Sequence, residues 1–262
     1  MGTCPHSSPE PQVNMSRPRR LALFLSIFLL AHSALSRADG QDVEIKLVTG
    51  TEVPMTVFPA KSFSLILWLP SEFGFKDGHR ALAQELSQQH YEVWLADIIQ
   101  AHLLAPVPSS IDRVPTEDLT ALIAFARKKT GKKVYVLTSS RGAVMALRGL
   151  QPIPKAVKGV ILFSPNLYIQ TPEPGKVARY QPIINKTRLN LAIIQPQNSP
   201  WYWYRDVQTR LLEQAGSRVY NKVLTGVRDR FYFRPDSTDA EDRMAKLFPA
   251  MIRETISYME NY

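Results

Sequence analysis

The chain has 262 residues, 45% of them hydrophobic and 21% charged, which is enough for one large domain or two small ones. That balance excludes collagen-like, disordered and multi-span membrane proteins. The net charge is +9, but four bases (Arg17, Arg19, Arg20, Arg37) and one acid (Glu10) precede Ala38, so 28 bases and 22 acids follow it, a charge of +6.

The first segment reads as an export signal. Arg17, Arg19 and Arg20 form a positive start, Leu21 to Leu30 an apolar run broken only by Ser26, and Ala34-Leu35-Ser36 or Ser36-Arg37-Ala38 a small-residue cleavage pattern. Residues 1–14 are polar and rich in Pro and Ser, and Met15 gives the more compact start Met-Ser-Arg-Pro-Arg-Arg. The expected division is therefore 1–38 as leader, with Met15 as the true start, and 39–262 as a single exported domain, periplasmic or secreted. Cys4, the single cysteine, lies ahead of Met15, so no disulfide or thiol chemistry is expected of the mature chain. Nothing after the leader approaches 18 apolar residues, so no membrane span is expected there.

From Asp42 the residues alternate, with Val43, Ile45 and Leu47 on one side and Glu44 and Lys46 on the other. Thr49-Gly50-Thr51 then turns the chain into Glu52 to Phe58, an antiparallel pair at a sheet edge where Pro54 is tolerated. Continuous apolar runs follow at Ser64 to Leu69, Tyr91 to Ala96, Lys133 to Leu137, Val157 to Phe163 and Leu189 to Ile194, with a weaker one at Arg218 to Leu224. Such runs suit strands buried on both faces. Helical patterns separate them: His79 to Gln89, Thr116 to Lys129, Arg141 to Leu150, Arg205 to Ala215 and Asp239 to Tyr258. Strand alternating with helix predicts an α/β fold with a mostly parallel central sheet, helices on both faces and an antiparallel amino-terminal edge. The basic cluster Arg127-Lys128-Lys129 with Lys132-Lys133 falls at a predicted helix end, where cations suit the macrodipole, so no nucleic-acid partner is expected. The Pro-rich stretch from Ser164 to Lys186 is a candidate lid.

The segment Val134-Tyr-Val-Leu-Thr-Ser-Ser-Arg-Gly-Ala143 is a strand, a sharp turn at Ser140, then a helix. It resembles the nucleophile elbow of the α/β-hydrolase superfamily, GxSxG, read here as Thr138-Ser139-Ser140-Arg141-Gly142. The resemblance implies Ser140 as nucleophile, with the backbone N–H of Arg141 and the Ser71–Glu72 turn as oxyanion donors. In chain order it places the family's acid at Asn198 and its histidine at Asp229, and no histidine occurs after His102. A serine hydroxyl without a neighbouring base is a poor nucleophile. Asp229 and His102 are the candidate replacements for that base, while His79 reads as a surface residue. Trp201 and Trp203, within Trp201-Tyr-Trp-Tyr204, either line a pocket for an apolar or sugar-like ligand or pack beneath the Pro-rich loop.

No metal-ligand spacing or phosphate-binding loop occurs, so no metal or cofactor is expected. Two functions follow from these residues. The first is a degenerate exported hydrolase-like protein binding a small molecule, a peptide or an exported protein partner. The second is an active serine hydrolase on an ester or amide, using an unconventional base.

Overall fold

The computed structural model describes residues 1–2, 40–173 and 176–261. The expected leader from residue 3 onward, with Cys4 and Met15, lies outside the described residues. By contacts, residues 38–262 form one unit, and the fold below is that unit's. Among the described residues no helix is long and apolar enough to cross a membrane.

Eight strands form one sheet: β1 (Gln41–Lys46), β2 (Glu52–Phe58), β3 (Ser64–Trp68), β4 (Glu92–Ala96), β5 (Lys133–Ser139), β6 (Gly159–Phe163), β7 (Asn190–Pro196) and β8 (Arg218–Leu224). Their order across the sheet is β1-β2-β4-β3-β5-β6-β7-β8. The strands from β4 to β8 in that order are parallel neighbours, and β2 joins β4 antiparallel. Pro54 sits in β2 opposite Glu44 of the edge strand β1, one residue before the β2–β4 ladder begins at Met55. Its missing N–H therefore breaks no bond to β4.

The buried strands divide their side chains by the two-residue period of the pleat. Leu65, Leu67, Val134, Val136, Val160 and Leu162 face one core, with Leu119, Leu122 and Ile123 of helix α2 (Thr116–Thr130) and the body of α3 (Gly142–Leu150). Leu212 of α4 (Arg205–Gln214) joins the same core. Ile66, Trp68, Tyr135, Leu137, Ile161 and Phe163 face the other, with Leu82 and Leu86 of α1 (Asp77–Gln88) and Phe248, Ile252 and Ile256 of α5 (Asp239–Asn261). Apolar runs without alternation are thus the signature of a sheet sandwiched between two helix layers. The end of α2 is as read: Gly131 takes φ 65°, its N–H reaches Arg127, and Arg127, Lys128 and Lys129 stand exposed there.

The start of α5 anchors the turn that reaches the site. Thr238 and Glu241 form a capping box, the Thr238 N–H on Glu241 Oε2 at 3.0 Å and the Glu241 N–H on Thr238 Oγ1 at 3.3 Å. Glu241 is buried and also accepts from the Arg228 backbone N–H at 3.0 Å and from its guanidinium at 2.8 and 2.7 Å. These bonds hold its carboxyl below the usual glutamate range, Arg228 being the main cause. A carboxylate depressed in the folded state contributes stability above its unfolded value, near 4.5, and loses it as pH falls further. Glu241→Gln should therefore destabilise the protein by about 2 kcal/mol at neutral pH and flatten the loss of stability below pH about 4.5, both read from urea melts across pH.

Candidate functional site

β5 delivers Ser139, and the chain then turns through Ser140 before α3 begins at Gly142. Ser140 takes φ 51°, a left-handed conformation that costs a non-glycine residue about 1 kcal/mol and is kept only where surrounding bonds enforce it. They do so here. The Ser140 N–H donates to the Phe163 carbonyl at 3.1 Å, and the Ser140 carbonyl accepts from the Asn166 N–H at 3.0 Å. Gly142 lets the turn close: a Cβ there would lie 2.1 Å from Thr138 Oγ1 and 2.4 Å from the Pro70 carbonyl oxygen.

The partner of Ser140 comes from the turn after β3. Ser71 accepts the Phe73 N–H on its hydroxyl at 3.2 Å and the Gly74 N–H on its carbonyl at 3.0 Å, with Gly74 at φ 70°. This tight turn sends the buried Glu72 side chain inward. Glu72 Oε1 accepts the Ser140 hydroxyl at 2.7 Å, and Oε2 accepts the Arg141 N–H at 3.0 Å. The Ser71–Glu72 turn, read from sequence as a source of oxyanion N–H groups, instead places a carboxylate on the Arg141 amide.

Glu72 and Ser140 line a cavity of about 510 Å³ that also meets Ser164, Asn198, Trp201 and Asp229. Asp229 Oδ1 accepts the Ser164 hydroxyl at 2.5 Å, and the Ser199 hydroxyl also bonds this carboxylate. Burial pushes the Asp229 carboxyl up, against those hydroxyls and the charges of Arg230 and Arg234, which favour ionisation. Ser164, like Ser140, holds a left-handed backbone, at φ 44°. Asn198 is fixed by its own N–H, which donates to the Val227 carbonyl at 3.0 Å. Among the described residues that line the cavity there is no histidine, and nowhere among the described residues do three or more His, Cys, Asp and Glu gather as metal ligands would.

Three expected positions differ. His102 follows β4, but β3 stands between β4 and β5, so its loop opens toward the β1–β2 turn. Its Nε2 lies 2.9 Å from Asp118 Oδ2, and it lines a separate groove with Gly50 and Thr51. His79 is not a surface residue: it is 2% exposed and ringed by Trp68, Phe75, Tyr232 and Phe233. Burial pushes its imidazole down to about 4, and its Nδ1 accepts the Lys76 N–H at 3.0 Å. Trp203 is 82% exposed and turned away, whereas Trp201 lines the cavity and packs on Tyr168 of the Pro-rich loop. That loop folds back on itself, Tyr168 bridging Tyr180.

Sequence reading missed the side-chain role of Glu72, along with Ser164, Phe73 and Arg230. Ser164 had an available signal, because it directly follows β6 at the same carboxyl edge at which Ser140 follows β5.

The family model for serine aminopeptidases, S33, matches residues 78–223, more than half of the chain. Among solved structures, carboxyl esterase 2 from the fungus Tuber melanosporum is similar at 14% identity and TM-score 0.63, covering 86% of this chain and 87% of its own. An esterase from the fungus Rhizomucor miehei is similar at 13% identity and TM-score 0.61, covering 95% and 94%. Thermogutta terrifontis esterase 2, in a form phosphorylated by paraoxon, is similar at 13% identity and TM-score 0.58, covering 84% and 95%. At such identities the likeness shows the fold alone. No curated protein matches the sequence. On the extent of the family match and the strand order around Ser140, the chain belongs to the serine aminopeptidase S33 family of α/β-hydrolases.

Proposed function

We propose that this is an exported α/β-hydrolase-fold protein that has given up turnover and binds a ligand in the Ser140 cavity. The observation that carries the reading is the single Glu72 carboxylate bridging the Ser140 hydroxyl and the Arg141 N–H. A tetrahedral intermediate places its oxyanion on such an amide. Here the amide is occupied by the buried Glu72 side chain, whose charge repels a second anion. The positions that would supply imidazole and its acid hold Asp229 and Asn198, and Asp229 is directed to Ser164 and Ser199.

A second reading, an active serine hydrolase, draws on the strained backbone of Ser140 and on a carboxylate within reach of its hydroxyl. Labelling by a fluorophosphonate separates the two. The expected result is slow, substoichiometric labelling of the wild type, little different from Ser140→Ala. Rapid, stoichiometric labelling lost in Ser140→Ala would establish the active enzyme instead.

Export belongs to the same proposal and is supported by the basic, apolar, then small-residue pattern ahead of Ala38. Amino-terminal sequencing of the exported product should read from Ala38 or Asp39, and retention of residues 20–36 in a membrane-bound product would contradict it.

A further inference from the structure

Five charged side chains line the Ser140 cavity: Glu72, Arg228, Asp229, Arg230 and Arg234. Four of them are satisfied within the fold. Glu72 is held by Ser140 and Arg141, and Asp229 by Ser164 and Ser199. Arg228 pairs with Glu241 and Asp236, and Arg234 with Asp236 at 2.9 Å. Among the described residues Arg230 alone of the five has neither an ion pair nor a hydrogen bond from its guanidinium. It is exposed, carried on a left-handed backbone at φ 61°, with its guanidinium 5.6 Å from the centre of the Phe73 ring. Phe73, Phe163, Pro200 and Trp201 supply apolar walls to the same cavity.

Resting on the reading of this cavity as a ligand site, we propose that its ligand is an amphiphilic anion, an apolar acyl or aryl body carrying a carboxylate-type head. The orientation follows from the charges. The floor already carries the Glu72 carboxylate, so a second anion is repelled from Ser140 and the apolar body goes inward. The head meets Arg230 at the rim, where a guanidinium and a carboxylate form paired, charge-assisted hydrogen bonds. Stacking on Phe73 restrains the guanidinium before the ligand arrives, which lowers the ordering cost of binding.

The test is calorimetric titration of the full-length protein at pH 7 with octanoate, 1-octanol and octylammonium, all below their aggregation limits. Octanoate should bind at least about tenfold more tightly than octanol, as a charged hydrogen-bonded head warrants. Arg230→Gln should abolish that advantage, bringing the ratio of octanoate to octanol affinity to about one. Lys155→Gln, which removes the same charge from an exposed residue in a different groove, should leave the advantage intact. Equal affinity for octanoate and octanol overturns the anion inference while leaving a ligand cavity in place. Tighter binding of octylammonium, persistence of the octanoate advantage in Arg230→Gln, or absence of octanoate binding also overturns it. Whether the cavity is a spent active site is decided separately, by the phosphonate labelling.

Discussion

Gly142→Ala should destabilise the protein by about 3 kcal/mol, although alanine is the better helix former by about 1 kcal/mol. Gly142 opens α3, so propensity alone favours the substitution. Packing decides against it, because the added methyl would lie 2.1 Å from Thr138 Oγ1 and 2.4 Å from the Pro70 carbonyl oxygen. Thr138 is fully buried, and Pro70 belongs to the backbone of the turn that holds Glu72. Relief therefore requires α3 to move off the sheet or the turn to move off Ser140. Adding Thr138→Ala removes one of the two clashes, so the double variant should recover only part of the loss. Gly159→Ala is the internal comparison: its methyl would lie 2.1 Å from Met259 Cε, the far end of a flexible side chain that can rotate away. It should cost about 1 kcal/mol. Urea midpoints of the three variants check the ranking, and equal stability of Gly142→Ala and wild type would show that the turn is not built as described.

The largest functional effect should come from a combined repair. Glu72→Ala clears the Arg141 amide but leaves Ser140 without a base, so by itself it should change phosphonate labelling little. Asn198→Asp with Asp229→His supplies an acid and an imidazole at the positions that the sequence resemblance implies for them, but the Arg141 amide, the proposed oxyanion donor, stays filled by Glu72. A donor of that kind is worth about 10² to 10³ in rate, and groups that act as a unit are strongly non-additive. The triple variant should therefore label at least about 10²-fold faster than wild type, with each partial repair within a few-fold of it. Pseudo-first-order labelling rates across the four proteins measure this. A large gain from the double variant alone would mean that Glu72 leaves the amide readily and is no barrier to chemistry.

Much of the fold was legible because burial on both faces leaves an unmistakable pattern. Leu65-Ile66-Leu67-Trp68 cannot be half-exposed without stranding apolar surface, so runs of this kind announce a covered sheet. Ser140 was legible for a related reason, since a small-residue turn between such a strand and a helix needs tight packing, and Gly142 provides it. Lateral order was not written in local pattern. Chain proximity places the loop after β4 at the carboxyl edge, but only the order β4-β3-β5 shows that His102 lies two strands away from Ser140. His79 was misread because two of the four rings that enclose it, Tyr232 and Phe233, come from a distant part of the chain. Glu72 was found at the right place with the wrong group, because sequence indicates where a turn falls but not whether its backbone or its side chain turns inward.

The strand order also bears on how the chain acquires its shape. β3 precedes β4 in sequence yet lies between β4 and β5, and Ser64 pairs with Lys133 across all of α1, β4 and α2. The β3–β5 pairing that joins the two halves of the sheet therefore cannot form between neighbouring segments, and a long, costly loop must be drawn in before it does. Until β5 has been made, only β1, β2, β4 and β3 are available to pair, and the edge of β3 that β5 will take stands open. A nascent or unfolded chain of this design is slow to close that edge and prone to associate through it.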